Sequence, residues 1–242
     1  MSMMDEQRAW PNSLGPLIWK GAKQALPILL GYLPIGFAYG VLAQKAGISI
    51  FNTILMSIVV FAGSAQLIAV ELFAMGLTPT SILLTTFVVN LRHMLMSAAL
   101  SPHLGGWSRV ELSAFAYELT DETFALHATH MRENQVEKAE TFAINLTSQA
   151  AWVLGTGLGV VIGQNITEIE PFALDYALPA MFMALLVMQI KGRKDVIVAV
   201  LGGSLSVGML LIGFAGWHVI IATVIAATLG VGMEQWTKKS SS

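Results

Sequence analysis

Seven stretches of this chain, near residues 21–43, 51–75, 80–103, 141–163, 172–190, 195–214 and 216–235, stay apolar for roughly 20 residues each. A helix of that length, at ~1.5 Å per residue, crosses the ~30 Å hydrocarbon core of a bilayer. Repeated runs of this kind restrict the chain to an all-α, polytopic membrane fold, because lipid offers no partner to unpaired backbone groups. Composition agrees: 55% of the 242 residues are hydrophobic and 12% charged, about half the ~25% charged content of a soluble domain. Connections are short, so residues 1–242 read as one integral-membrane domain, with 1–19 a cytoplasmic tail and 236–242 a C-terminal tail. The first twenty residues lack the apolar region of a signal peptide. A net charge of −2 argues against a nucleic-acid surface, and the absence of cysteine removes thiol chemistry.

An eighth stretch, 111–131, is long enough to cross but carries Glu118, Asp121 and Glu122. At helical spacing these acids share one face. Basic residues arbitrate between counts. Eight spans with the N-terminus inside leave only Lys45 and Arg109 outside, against ten cytoplasmic lysines and arginines. Seven spans give nine against three and translocate Arg8, Lys20 and Lys23. Eight spans are expected, with seven as the alternative. Most of the six tryptophans lie near proposed helix ends, where interfacial anchors sit.

Tyr32-Leu33-Pro34-Ile35-Gly36-Phe37 resembles Tyr176-Ala177-Leu178-Pro179-Ala180-Met181-Phe182, and the spans that follow carry Ala62-Gly63-Ser64 and Gly202-Gly203-Ser204. With eight spans the two proline-bearing helices run in opposite directions, so an inverted repeat with Pro-broken helices is expected. Broken helices expose N–H and C=O groups at mid-membrane and point to a transporter site. Pro34 and Pro179 are therefore candidate binding positions, and chance similarity is the alternative.

Arg92 lies about 12 residues from the cytoplasmic end of its span, ~18 Å deep, and Asp121 lies ~15 Å deep. A charge at helix centre costs ~2.5–3.5 kcal/mol, so Arg92 with three acids costs roughly 10 kcal/mol. Such a set persists only when paired or facing a cavity. An Arg92–Asp121 or Arg92–Glu122 pair is expected, leaving an acid among Asp121, Glu122 and Glu118 free to carry a proton. Thr86, Asn90, His93 and Ser97 share one stripe, and His93 is a further candidate for proton transfer. Gly63, Ser64 and Gln66 combine close backbone approach with a polar amide at mid-span. Gly155, Gly159 and Gly163 have the spacing of helix packing. His127-x-x-His130 lacks the H-E-x-x-H pattern, so no metal or cofactor is expected.

Taken together, Leu26-Pro27 through Phe37, Phe61-Ala62-Gly63-Ser64-Ala65-Gln66, Asn90-Leu91-Arg92-His93, Leu119-Thr120-Asp121-Glu122-Thr123-Phe124 and Leu178-Pro179-Ala180-Met181-Phe182 resemble the AzlC family, which includes branched-chain amino-acid exporters of the YgaZ type. The resemblance implies a non-enzymatic exporter of valine, leucine, isoleucine and related hydrophobic amino acids across the bacterial inner membrane. It also implies a small, hydrophobic, AzlD-like partner subunit. For such a substrate, Arg92 or the helix around Pro34 would take the carboxylate and Asp121 or Glu122 the ammonium. Phe37, Phe182 and Met183 would line the apolar pocket. A structural or regulatory subunit of a membrane complex, or an intramembrane enzyme, are the alternatives of a different kind.

Overall fold

The computed structural model describes residues 14–133, 137–166, 192–213 and 218–240, with single positions between 176 and 190. The described elements are helices: α1 (Leu14–Gln24), α2 (Leu26–Lys45), α3 (Ile50–Val59), α4 (Gly63–Ala74), α5 (Pro79–Leu100, extended by a 3-10 turn at Ser101–His103), α6 (Arg109–Tyr117), α7 (Asp121–Glu133), α8 (Lys138–Gly163), α9 (Arg193–Leu211) and α10 (His218–Ser240). The chain divides into two units, Met1–Met181 and Phe182–Ser242. In the second, α9 and α10 pack on each other. Among the described residues, four helices are long and apolar enough to cross a membrane: Leu26–Lys45, Pro79–His103, Lys138–Gly163 and Arg193–Leu211. Large apolar side chains along them, such as Leu30, Leu83, Phe87, Leu154 and Val200, are exposed. Lipid covers such faces, so a membrane helix needs no polar exterior.

The first unit is built on α2 and α8, which lie side by side and run in the same direction. Glycine permits their approach. A Cβ at Gly36 would stand 2.8 Å from the Trp152 carbonyl oxygen, and one at Gly155 would stand 2.6 Å from that of Leu33. Both distances are too short for any side chain, so the packing role expected of Gly155 is met. Pro34 lies within α2, and the helix continues through it to Lys45. The break expected there does not occur. Proline costs one hydrogen bond to the residue four back, and a membrane helix tolerates that loss.

Contacts of α1 and α2 with the two ends of α8 define two membrane faces. At one, Lys20 Nζ pairs with Glu140 at 2.9 Å; at the other, Lys45 Nζ donates to the Ile166 carbonyl. Chain breaks occur between these faces. The expected span 51–75 is two helices separated at Val60–Ala62, where Phe61 has a φ of 35°. Positive φ in a bulky residue is uncommon and marks a sharp change of direction. The expected span 111–131 is likewise two helices, broken at Glu118–Thr120.

Neither pair crosses. Glu111, in the first turn of α6, forms a 2.7 Å ion pair with Lys138, at the start of α8. Met131, near the end of α7, packs in the same cluster as Leu104, Phe115 and Trp107. Both ends of α6–α7 therefore lie at the Lys20–Glu140 face. A capping box starts α6, with Ser108 Oγ accepting from Glu111 N–H and the Glu111 carboxylate accepting from Ser108 N–H. The Lys138 ammonium and these Ser108 groups hold the exposed Glu111 carboxyl down at about 2.

The α3–α4 pair is the mirror case. It follows α2 from the Lys45 face, where Gln44 Nε2 donates to the Ile48 carbonyl at 2.9 Å. It leads into α5, whose 22 residues span ~33 Å and end against Leu104 and Phe115 at the opposite face. Both ends of α3–α4 therefore lie at the Lys45 face. Each pair is a re-entrant hairpin with arms ~14–20 Å long, half a bilayer deep.

Irregular backbone at membrane depth survives only when protein buries it. Phe61, Ala62, Leu119 and Thr120 are all buried. Two consecutive units, α2 with α3–α4 and α5 with α6–α7, thus share one build in opposite directions. This inverted relation differs from the one expected between the helices of Pro34 and Pro179. Among the described residues of the first unit, Lys20, Lys23, Arg109 and Lys138 lie toward one face and Lys45 toward the other. The basic face is cytoplasmic by the positive-inside rule. Arg109, expected outside, lies on that face because 111–131 turns back.

Candidate functional site

The two hairpin tips meet at mid-membrane, and α5 passes between them. Arg92 Nη1 pairs with Asp121 Oδ2 at 2.9 Å, and its Nη2 donates to Ser64 Oγ. One guanidinium thus bridges the first residue of α7 and the second residue of α4. Of the two pairs expected, Arg92–Asp121 and Arg92–Glu122, the first is present, with Asp121 the more buried partner.

The helix N-termini at the tips are finished differently. In α7, Thr120 and Thr123 cap each other: Thr120 N–H donates to Thr123 Oγ1 at 2.8 Å, and Thr123 N–H donates to Thr120 Oγ1 at 3.3 Å. Asp121 and Glu122 fill its first turn, where the helix dipole favours negative charge. In α4, Ala62 provides no side-chain cap and the first turn holds no acid. The opening N–H groups of α4 have no intrahelical partner, and the dipole there favours an anion.

Tyr32 from α2 and Trp152 from α8 close the site. The Tyr32 hydroxyl reaches Thr120 Oγ1 and Glu122 Oε2, each at 2.6 Å. Its ring meets Phe61 and Trp152 edge-on at 6.3 and 5.5 Å. The Trp152 indole lies against Gly63, where a Cβ would come within 2.7 Å of it.

Tyr32, Phe61, Gly63, Ser64, Arg92, His93, Thr120, Asp121, Glu122 and Trp152, with Ala62, enclose a cavity of about 20 Å³. Since one water needs ~10–15 Å³ measured this way, the cavity holds about one. Arg92 Nε and His93 Nε2 are buried beside it without hydrogen-bond partners.

Six of the residues singled out from sequence therefore come together: Gly63, Ser64, Arg92, His93, Asp121 and Glu122. Others serve elsewhere. Gln66 is fully buried behind α4, where its Nε2 donates to Ser57 Oγ at 3.2 Å and its Oε1 accepts from Trp152 Nε1 at 3.0 Å. Its amide holds helices together and does not face the cavity. Pro34 is exposed, and Phe37 packs against Gly155 and Gly159. Asn90 lies two residues before Arg92, its Oδ1 buried and unpartnered, outside the cavity wall. Glu118 belongs to a separate buried cluster with His127 and Asn145.

Pro179 is exposed, and Met183, in the second unit, is 62% exposed. Phe182 lies outside the described residues. Sequence reasoning missed Tyr32, Phe61, Thr120 and Trp152 as wall residues. Trp152 had a readable signal, since a tryptophan in the middle of an apolar run is not an interfacial anchor.

Crossing helices, two opposed re-entrant hairpins and a charged site between their tips define a multi-pass membrane protein with its polar centre at mid-bilayer. The chain belongs to the AzlC protein family, whose model matches residues 27–166. It is 32% identical to an uncharacterized membrane protein of Archaeoglobus fulgidus, over 87% of this chain and 92% of the relative. It is 29% identical to the Escherichia coli inner membrane protein YgaZ, over 77% of this chain and 79% of that one. Identity is also 29% to the Bacillus subtilis branched-chain amino acid transport protein AzlC, over 88% and 85% of the two chains. No solved structure matches the chain.

Proposed function

We propose that this protein is a secondary active transporter that exports branched-chain and related hydrophobic L-amino acids across the bacterial inner membrane. Export is coupled to protons, and a small AzlD-like membrane subunit is its partner. The observation that carries the reading is the uncapped N-terminus of α4, which opens beside Arg92 and opposite Asp121. A zwitterion needs an anion site and a cation site a few ångströms apart, and this cavity provides both. The substrate carboxylate is received by the Gly63 and Ser64 N–H groups and by the free Nε of Arg92. Its ammonium faces Asp121 and Glu122, and Phe61, Tyr32 and Trp152 offer apolar surface to its side chain. Membership of the AzlC family, and the name of the Bacillus subtilis relative, support the substrate class.

The cavity has room for about one water, so a branched-chain amino acid enters only when a tip withdraws. Withdrawal of α3–α4 opens the site to the Lys45 face, and withdrawal of α6–α7 opens it to the Lys20–Glu140 face. Arg92 contacts both tips, so it is the group through which one tip's position biases the other's. The test is counterflow of labelled valine in proteoliposomes, with and without a pH gradient and with and without the small subunit. Exchange above empty vesicles that unlabelled leucine competes away is the expected result. No exchange in any arrangement removes the proposal.

A further inference from the structure

Three acids lie at the α6–α7 tip, and they are not equivalent. Asp121 is joined to Arg92 at 2.9 Å. Glu122 accepts from the Tyr32 hydroxyl at 2.6 Å. Glu118, at the C-terminal end of α6, is 7% exposed, and its Oε2 has no hydrogen-bond partner. No lysine, arginine or histidine among the described residues lies within ion-pair distance of it.

Beside it stands the Asn145 amide of α8. Asn145 Oδ1 lies 2.7 Å from His127 Nε2, while its Nδ2 is buried without a partner. Asn145 and His127 are almost fully buried, and the His127 ring packs 5.3 Å from that of Phe115. None of the three lines the Arg92 cavity. Asn145 lies seven residues into α8, ~10 Å from the Lys138 face, and Trp152 lies ~10 Å deeper. The cluster therefore sits between the cavity and the basic face.

We infer that the transported proton is carried by Glu118, in a cluster with Asn145 and His127 that is separate from the amino-acid site. The inference rests on the proton-coupled reading above and assigns the proton to one acid. A coupling carboxyl must exist both with and without its proton. Asp121 is paired with a guanidinium and Glu122 accepts from the Tyr32 hydroxyl, whereas Glu118 has neither cation nor donor on Oε2.

Protonation adds one O–H bond at the carboxylate and removes one negative charge; release returns the proton to water, and no other bond changes. Asn145 suits both states, because its amide offers a donor to the carboxylate and an acceptor with two lone pairs to the acid. With Glu118 ionised, Nδ2 donates to the carboxylate and Oδ1 accepts from His127 Nε2–H. With Glu118 protonated, its O–H donates to Asn145 Oδ1, whose second lone pair still accepts from His127 Nε2–H, so the imidazole keeps its proton. The charged form resists enclosure and draws the α6–α7 tip toward water, while the neutral form lets it close. Titratable or charged groups on the surrounding elements include Arg109, Glu111, Tyr117, Asp121, Glu122, His127 and His130 on its own hairpin, Arg92 and His93 on α5, and Tyr32 on α2. On α8, Lys138 and Glu140 stand at the membrane face.

The test combines infrared difference spectroscopy with transport in proteoliposomes. Acidification of the wild type raises a carboxylic-acid C=O stretching band, which Glu118→Gln removes and Glu118→Asp moves. Glu118→Gln retains valine counterflow and loses accumulation driven by a pH gradient. A band that persists in Glu118→Gln, or gradient-driven accumulation at the wild-type level, overturns the assignment. Should Glu118→Gln fail to fold, Glu118→Asp decides: an unmoved band overturns it. If the wild type shows no valine counterflow, the amino-acid reading fails, while the band still tests whether Glu118 takes up a proton.

Discussion

Glu111 and Lys138 are joined by a 2.7 Å ion pair across 27 positions of sequence, which places the start of α6 and the start of α8 on one side of the membrane. A single crossing by 111–131 would put them on opposite sides. The chain has no cysteine, so Ser108→Cys and Glu137→Cys can each be introduced alone. Both are expected to react with a membrane-impermeant maleimide added from the cytoplasmic side in inverted vesicles, and to resist it in intact cells. Labelling from opposite sides would restore the crossing helix.

Acid separates the Glu111–Lys138 pair in a defined way. The Glu111 carboxyl is depressed to about 2 in the folded protein, against ~4.3 in an unstructured chain. Its contribution to stability is therefore complete above the unfolded value and is lost as pH falls through the folded one. Thermal unfolding in detergent should show Glu111→Gln less stable than wild type at neutral pH, with the gap narrowing on acidification to about 2. The gap stays small at any pH, because the pair faces water.

Removing Arg92 leaves the part-buried Asp121 carboxylate without its cation. Loss of one partner of a fully buried ion pair costs about 3–5 kcal/mol, and this part-buried pair should cost less, so Arg92→Ala should unfold at lower temperature. Arg92→Ala with Asp121→Asn should recover most of that loss without recovering valine counterflow. Arg92→Lys keeps the charge but cannot reach Asp121 and Ser64 together, and counterflow should fall while stability is largely kept. Undiminished counterflow in Arg92→Ala would remove Arg92 from the site.

Gln66 was expected to read a ligand and instead ties α3 and α8 together through Ser57 and Trp152. Gln66→Leu strands the buried Trp152 N–H, at a cost of about 1–3 kcal/mol. The predicted signature is a lowered unfolding temperature with an unchanged half-saturation concentration for valine in the folded fraction. A shifted half-saturation at unchanged stability would return Gln66 to the binding surface.

Glycine positions along α8 are not interchangeable. Gly155 has the Leu33 carbonyl oxygen 2.6 Å from where a Cβ would stand, while Gly157 has nothing within 4 Å. Gly155→Leu forces α2 and α8 apart and should cost about 1–3 kcal/mol or more. Gly157→Ala relieves backbone entropy and should gain about 0.5–1 kcal/mol. Paired thermal melts check both, and equal effects would contradict the close approach of the two helices.

The membrane class, the Arg92–Asp121 pair and six residues of the site were legible in the sequence, because burying charge in hydrocarbon is costly enough to be read without coordinates. The hairpins were not. An apolar run of 20 residues has the same length whether it crosses or turns back, and hydropathy does not report direction. Local cues were present all the same. Thr120-x-x-Thr123 and Ser108-x-x-Glu111 are helix-start patterns, and the first lies in the middle of what read as a single helix. Pro34 misled for the opposite reason: a residue that breaks helices in water is accommodated in lipid. Tyr32 gave no local sign, since only the fold brings its hydroxyl to Glu122 across 90 positions.

The seam of Gly36 and Gly155 leaves α2 and α8 with no slack between backbones. Rods meshed so tightly cannot slide past one another without first separating, so they act as a fixed mast for the first unit. In the transport cycle proposed above, the motion is then a swing of two short flaps hung from opposite ends of that mast. A small molecule that wedges either flap shut would halt the cycle without competing for the chamber between them.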